Sequence, residues 1–215
     1  MPVRTIPKNY RNVTGIAASP KAGGAAQFES TLERDFLSLL EFSPEVEVID
    51  PQPVKIEWLD TNDRQRSYTP DVFIQFAESC GKQPWLCEIK YRSELRAKWL
   101  ELRPKFKAAS HFAKERSWQF KIITEREIRT PYLANARFLI SLRHLVPNAE
   151  FMEDILGYLK RSDETTPRDL IKAIRADETG QAQLIGVLWH LIATFQVGVD
   201  LHKPLTMKSR IWSLS

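Results

Sequence analysis

Two stretches decide the fold, Tyr68-Thr-Pro-Asp-Val-Phe-Ile-Gln-Phe76 and Trp85-Leu-Cys-Glu-Ile-Lys-Tyr91, and each contains a run typical of a β-strand. Side chains alternate between the two faces of a strand, so Glu88 and Lys90 point to the same face. If the two strands pair as a hairpin, Asp71 reaches the same place. Two carboxylates and an ammonium at one point suit metal-dependent cleavage of a phosphodiester. The stretch therefore predicts a nuclease site.

The cofactor that this site predicts is Mg²⁺, with Mn²⁺ as an alternative ion. Mg²⁺ prefers hard oxygen ligands, which Asp71, Glu88 and the backbone carbonyl of Ile89 would supply. Lys90 would orient the attacking water and offset negative charge in the transition state. The predicted catalytic residues on the two strands are therefore Asp71, Glu88 and Lys90.

An ordinary ion pair on an exposed strand is the alternative explanation for Glu88 and Lys90, since Glu-x-Lys alone is common. The flanking residues argue against it: Trp85, Leu86, Cys87, Ile89 and Tyr91 are apolar or aromatic, which predicts a central strand. A central strand does not bury Glu and Lys without a use for them. The Pro-Asp pair that ends at Asp71, 17 positions before Glu88, also has the spacing of Pro-Asp…(Asp/Glu)-x-Lys nucleases.

A third carboxylate is expected from a helix predicted over Gln27 to Phe42, where apolar residues recur at helical spacing. Glu29 and Glu33 border its apolar stripe. Glu33 lies closer to the apolar side, so it is the predicted catalytic residue and metal ligand. For Glu29 a solvated helix flank is the favoured interpretation.

The bulk composition sets limits on the class of protein. With 215 residues, 43% hydrophobic and 27% charged, the chain resembles a globular protein. Its net charge of +4 permits a nucleic-acid partner without indicating one. No apolar run approaches the roughly 18 residues of a membrane span. Cys80 and Cys87 lack metal-ligand spacing and follow no secretory signal, which predicts reduced thiols in a cytoplasmic protein.

The order of predicted elements gives an α/β catalytic domain over residues 28–130, after a basic arm over 1–27. Its expected order is a helix, a mixed sheet, a crossover helix and a parallel strand, Trp118 to Thr124. Ser93 is the expected N-cap of the crossover helix. Pro104 is expected to kink it or to start a second helix.

A mostly helical C-terminal domain is expected over residues 131–215. A helix is expected over Pro131 to Leu145, and three further helical stretches precede two extended pieces, Gln196 to Leu201 and Leu205 to Trp212. This order is typical of a winged helix-turn-helix. The alternative is a helical cap whose hairpin only packs. Basic residues expected to contact DNA are Lys105 and Lys107 on the crossover, and Lys208 and Arg210 on the wing strand, each with a solvated surface as the alternative.

Several short motifs, taken together, resemble the TnsA endonuclease subunit of heteromeric cut-and-paste transposases. They occur in this order: Phe28-Glu-Ser-Thr-Leu-Glu33-Arg-Asp-Phe-Leu, Pro51-Gln-Pro53, Tyr68-Thr-Pro-Asp71, Glu88-Ile-Lys90 and Thr124-Glu-Arg-Glu-Ile128. The resemblance implies a restriction-endonuclease-like sheet followed by a winged-helix-like domain. The family's helix glutamate, aspartate and lysine fall on Glu33, Asp71 and Lys90, and some members carry Gln in place of Glu88.

The same resemblance implies a bacterial protein that nicks the 5′ strands of double-stranded DNA at transposon ends. A partner integrase-type transposase would cut and join the 3′ strands, and an AAA+ ATPase regulator would contact the C-terminal part. Some relatives work with RNA-guided targeting complexes, which is a further expected kind of partner. Two alternatives stay open: a stand-alone restriction or repair nuclease, and a non-catalytic adaptor between transposase and ATPase.

Overall fold

The chain divides into two compact units. The structure, a computed structural model, describes residues 15–60 and 62–214. The first unit ends at Arg129 and the second begins at Thr130, next to the division predicted after residue 130. Every helix in the described residues falls short of the length or apolar content that a membrane crossing requires.

The first unit combines eight described strands with four described helices. The strands are β1 (Gly15–Ser19), β2 (Gly24–Phe28), β3 (Val46–Pro51), β4 (Ile56–Leu59), β5 (Gln65–Tyr68), β6 (Val72–Phe76), β7 (Trp85–Ile89) and β8 (Gln119–Ile123). The helices are α1 (Thr31–Phe42), α2 (Arg92–Ala97), α3 (Trp99–Glu115) and α4 (Glu125–Ile128).

A four-stranded mixed sheet in the order β3-β6-β7-β8 forms the centre of this unit. β6 pairs antiparallel with β3 and with β7, whereas β7 and β8 are parallel. Strand β7 is therefore an inner strand, with Cys87 opposite Val72 on one side and Glu88 opposite Ile122 on the other. The predicted hairpin, crossover and mixed sheet flanked by helices are confirmed.

Helix α3 covers the sheet face to which Leu86 points. Leu86 is fully buried with Ile56, Ala109 and Ala113 in one apolar cluster. Because alternate residues of a strand share a face, Glu88 points to the same side as Leu86. The packing of α3 on this face therefore brings the helix over the residue that sequence analysis placed in the site.

The start of the first helix differs from the prediction. Gln27 and Phe28 belong to β2, which pairs with β1, and α1 begins only at Thr31. Phe28 and Leu32 are both buried, so the apolar stripe read as one helix joins residues of two elements. Residues 15–28 form a hairpin where an arm was predicted, and residues 1–14 of that arm lie outside the described residues.

The crossover also differs in detail. Its break falls at Lys98, and Pro104 lies inside α3. A proline removes one hydrogen bond to the carbonyl four residues earlier, and here that residue, Leu100, is 85% exposed, where water can replace the bond. The N-cap position of α2 is held by Tyr91, not by Ser93. The Arg92 N–H instead donates to Glu125 Oε2 at 2.9 Å.

Four helices and two short strands form the second unit. They are α5 (Pro131–Ile140), α6 (Ala149–Arg161), α7 (Pro167–Ile174), α8 (Glu178–Ala193), β9 (Val197–Val199) and β10 (Ile211–Ser213). β9 and β10 pair antiparallel. The helices follow the predicted order, and the winged-helix assignment stays a prediction.

The second predicted extended piece, Leu205 to Trp212, is mostly a loop. Buried Asn135 donates to the carbonyls of Leu201 and Lys203 and accepts from the Leu205 N–H. These bonds satisfy the loop's backbone without a neighbouring strand. Lys208 and Arg210 precede β10, so the prediction that they lie on a strand is wrong.

Candidate active site

The carboxyl end of β7 brings the predicted strand residues together. Lys90 Nζ lies 3.1 Å from Glu88 Oε1 and 3.5 Å from Asp71 Oδ2. The side chain of Glu88 is 2% exposed, and those of Lys90 and Asp71 are 19% exposed. The predicted cluster of two carboxylates around one ammonium is therefore present. An exposed surface ion pair does not describe it.

Asp71 is held in place by the strand that carries its partners. Its Oδ2 accepts a hydrogen bond of 2.6 Å from the Ile89 N–H, and its own N–H donates to the Cys87 carbonyl. Burial raises the pKa of Asp71 well above its ordinary value, and the neighbouring Glu88 raises it further, whereas Lys90 lowers it. The positive charge of Lys90 thus offsets only part of the cost of ionising Asp71.

Lys90 shows the opposite balance. Burial alone would lower its pKa, but Asp71 and Glu88 more than reverse that effect and raise the pKa. Lys90 is consequently a permanent cation at neutral pH. Its ammonium also donates to the Ile89 carbonyl at 3.0 Å, so the carbonyl predicted to bind a metal is occupied by Lys90 in this structure.

Glu33 forms hydrogen bonds at the start of α1 and lies near the cluster. Its Oε1 accepts from the Ser30 hydroxyl and its Oε2 from the Glu29 N–H, each at 2.8 Å, while Ser30 Oγ accepts from the Glu33 N–H. This is a helix-capping arrangement. Burial raises the pKa of Glu33, and Lys90 is near enough to lower it. Each oxygen accepts one of these bonds and keeps a second lone pair, so the cap and a metal ion could share the carboxylate. Glu29 accepts from the Gln52 amide at 3.0 Å.

Lys105 is part of the cluster, and sequence analysis assigned it only to DNA binding. Its Nζ donates to Glu88 Oε1 at 2.8 Å, closer than Lys90, and its side chain is 20% exposed. Lys107 is exposed. Residues two positions apart on a helix are rotated by about 200° from each other. Lys107 therefore points away from the side that carries Lys105. The sequence could have distinguished the two lysines, because Lys105 lies beside the buried stripe of Leu102, Phe106 and Ala109 and Lys107 does not.

A second network fixes α1 against the end of β7. Asp35, 4% exposed, accepts from Arg129 Nε at 3.0 Å, and Arg129 also donates to Thr31 Oγ1 at 3.2 Å. The Thr31 and Tyr91 hydroxyls are 3.5 Å apart. Since Tyr91 follows Lys90 directly, this network sets the position of Glu33 relative to the site.

The donor set fits a divalent cation in its chemistry. Two carboxylates, Asp71 and Glu88, contact the ammonium of Lys90, and Glu88 also contacts that of Lys105. Within residues 15–60 and 62–214, Glu88 Oε2 is buried and has no hydrogen-bond partner. A buried carboxylate oxygen without a partner is costly, and hard oxygen is the ligand that Mg²⁺ prefers.

The predicted three-carboxylate ligand set is not assembled here. Across the described part of the chain, no three His, Cys, Asp or Glu residues are grouped to hold a metal ion. The reason is visible in the contacts: the Lys90 ammonium lies between Asp71 and Glu88, and Glu33 faces its own helix cap. Ligation of a cation by Asp71 and Glu88, by Glu33 or by the Ile89 carbonyl stays a prediction.

The raised pKa values of Asp71 and Glu33 predict a pH-dependent stability of the cation-free protein. The folded state binds protons more tightly than the unfolded state, so the free energy of unfolding falls as pH rises above about 4. Lys90 contributes constantly in this range, because its raised pKa lies above it. Near neutral pH, Mg²⁺ bound at this site would stabilise the folded state. At a hundredfold excess over its Kd, it should raise the free energy of unfolding by about 2.7 kcal/mol.

Denaturant titrations at about pH 5 and about pH 8, each with Mg²⁺ or a chelator, measure both effects. Four carboxylates with lowered pKa values act in the opposite direction, but only below about pH 4, where they become protonated. They are Glu57, Asp60, Glu127 and Asp200. A free energy of unfolding that increases from the lower to the higher pH would contradict the prediction. So would one that Mg²⁺ leaves unchanged at the higher pH.

Comparison with protein families gives matches to both units. A family described as TnsA-like endonuclease N terminal matches residues 43–125, which contain Asp71, Glu88 and Lys90. A second, described as TnsA endonuclease C terminal, matches residues 127–201. The two matches together cover most of the chain. A comparison with curated proteins finds no match.

Proposed function

The chain belongs to the TnsA endonuclease family, and from that premise we propose that it cuts the 5′ strands at transposon ends in a Mg²⁺-dependent reaction. Family membership makes it a nuclease subunit of a transposase, with DNA as substrate and a transposase as partner. In the proposal an integrase-type partner cuts and joins the 3′ strands. The observation that carries it is the pair Asp71 and Glu88 around Lys90, with the buried Glu88 Oε2 unpartnered among the described residues.

Each residue of the cluster has a proposed task. Asp71 and Glu88 hold the cation, which when bound supplies Lewis-acid charge and an acidified water. Mn²⁺ can take the same place. Lys90, fixed by two carboxylates, orients the attacking water and stabilises negative charge on the phosphate in the transition state. Glu33 would supply a third carboxylate from α1.

The electrostatics favour this proposal over a non-catalytic adaptor. A pure adaptor has no need to keep Glu88 at 2% exposure with an unpartnered oxygen, or to hold Asp71 at a raised pKa. Such strain is typical of sites that act on a ligand. A stand-alone restriction or repair nuclease would use the same cluster, but the match to a TnsA C-terminal family over residues 127–201 favours a transposase subunit.

The second unit is proposed to be the partner-binding part. Its helices followed by β9 and β10 support a winged-helix-like domain. We assign to it the contact with an AAA+ ATPase regulator and, in a guided system, with an RNA-guided targeting complex. Lys107 on α3, with Lys208 and Arg210 before β10, are proposed DNA contacts. Arg210 is at present paired with Glu164 at 2.9 Å and would exchange that carboxylate for a phosphate.

Strand-resolved cleavage mapping tests the proposed function. Transposon-end DNA, labelled separately on each strand, is incubated with the chain, its partner transposase and Mg²⁺. We expect 5′-strand cuts that require this chain and disappear with a chelator, because in the proposed reaction the cation acidifies the attacking water and offsets charge on the phosphate. A 5′-strand cut that persists in excess chelator, or cuts by this chain on the 3′ strands only, would overturn the proposal.

A further inference from the structure

Lys105 is held at the cluster by more than its charge. Its ammonium lies 2.8 Å from Glu88 Oε1, 4.8 Å from the centre of the Tyr68 ring and 5.3 Å from that of Phe106. Aromatic faces attract cations at these distances. Helix α3 itself packs against β7 and β8. One lysine is thus oriented by a carboxylate, two rings and a rigid helix.

Both lysines contact the same oxygen of the Glu88 carboxylate. Both contact Oε1, with Lys105 at 2.8 Å and Lys90 at 3.1 Å, whereas Oε2 is buried and, among the residues described, has no hydrogen-bond partner. A carboxylate fixed through one oxygen has its second oxygen held in a set direction. Hydrogen bonds of this kind to ligand carboxylates orient them for metal binding.

Tyr68 supports the same interpretation. Its hydroxyl is buried and, over residues 15–60 and 62–214, has no hydrogen-bond partner, so polar bonding does not explain its place. Its ring faces Lys105 and packs edge-on against Trp58, with ring centres 6.2 Å apart. The first motif of the sequence thus contributes both Asp71 and the aromatic surface on which Lys105 rests.

We propose that Lys105 is a positioning residue of the active site, which holds Glu88 by Oε1 so that Oε2 faces the divalent cation. It acts through Glu88 and does not contact the DNA. This inference rests on the proposed function, since it assumes that Asp71 and Glu88 bind a cation. It differs from the DNA contact that sequence analysis assigned to Lys105.

Mn²⁺ binding to the full chain without DNA, followed by calorimetry, tests the proposal. Lys105→Met keeps the aliphatic stem and removes the ammonium, and should weaken Mn²⁺ binding about 10-fold or more. Lys105→Arg, which can still donate to Glu88 and stack on Tyr68, should restore most of the affinity. Lys114→Met is the matched control: this exposed lysine lies on the opposite side of α3, and its loss should leave Mn²⁺ affinity unchanged.

Cleavage and DNA binding separate positioning from a phosphate contact. For Lys105→Met, the Mn²⁺ concentration giving half-maximal cleavage should rise, while cation-free DNA affinity stays as in the wild type. A phosphate contact would instead lower DNA affinity and reduce the salt slope by about 1. That result, or wild-type or tighter Mn²⁺ binding by Lys105→Met, would overturn the proposal. Lys105→Gln replaces Lys105→Met if circular dichroism shows that the latter is unfolded.

Asp71→Ala separates failure of the proposed metal site from failure of the proposed role of Lys105. If it binds Mn²⁺ as well as the wild type, the proposed metal site itself is wrong. If it loses Mn²⁺ binding while Lys105→Met retains it, the metal site stands and only the role of Lys105 is wrong.

Discussion

Replacing Asp71 by asparagine should abolish 5′-strand cleavage and at the same time raise the melting temperature of the cation-free protein. The amide oxygen can still accept the Ile89 N–H, which donates to Asp71 Oδ2 at 2.6 Å, so the local fold is kept. In the proposed reaction Asp71 holds the cation by its charge, which asparagine lacks, and a loss of several kcal/mol in transition-state stabilisation corresponds to about 10³-fold or more in rate.

The gain in stability follows from the direction of the pKa of Asp71. Because burial and Glu88 raise that pKa, the ionised carboxylate destabilises the folded state at neutral pH, and asparagine removes this charge. Strand-resolved cleavage and thermal unfolding with a chelator measure the two effects. Asp71→Asn with lowered stability, or with normal 5′ cutting, would contradict the prediction.

Asp60→Asn is a suitable control for both measurements. Asp60 lies in a loop, and its carboxylate accepts from the Asn62 and Arg64 N–H groups and from Arg66. These bonds lower its pKa, so its ionised form stabilises the fold and its neutralisation should lower stability. Its cleavage should remain normal. The two substitutions therefore have opposite expected signs on stability.

Replacing Lys90 by methionine should lower both activity and stability. Lys90 lies within 3.5 Å of Asp71 and Glu88. Removing it leaves Glu88 paired with Lys105 and, among the described residues, leaves Asp71 without an ion-pair partner. Breaking a buried ion pair from one side typically costs about 3–5 kcal/mol. Loss of a group that stabilises transition-state charge lowers the rate about 10²- to 10³-fold.

Urea denaturation and cleavage assays measure the two losses. The double variant Lys90→Met with Asp71→Asn should regain much of the stability but none of the activity, since the two residues interact directly. Lys82→Met is the control, because its ion pair with Glu45 is exposed and worth at most about 1 kcal/mol. Unchanged stability in Lys90→Met would mean that the cluster is not held together by charge.

The local placement of the strand residues could be predicted from the sequence because it depends on a period of two. Glu88 and Lys90 share a face in any strand, and the apolar residues around them require an inner strand. The helical prediction was wrong at Gln27 for a related reason. Phe28 is buried like Leu32, and a spacing of four does not reveal that a hairpin ends between them.

Lys105 and Glu33 show what local patterns leave open. On α3 the apolar stripe distinguishes Lys105, which lies beside it, from Lys107, but only the packing of the helix on the Leu86 face brings Lys105 to Glu88. The spacing of Ser30 and Glu33 fits a helix cap as well as a metal ligand, and the structure shows the cap.

The sequence by itself determined the mixed sheet, the hairpin and the grouping of Asp71, Glu88 and Lys90, because these follow from side-chain alternation and strand order. Only the tertiary structure decided that Lys105 joins the cluster, that Glu33 faces its own helix, and that Glu88 keeps one unpartnered buried oxygen among the described residues. Those facts depend on how α1 and α3 approach β7. The angle and distance between packed elements are set by contacts far apart in the chain, which no local period encodes.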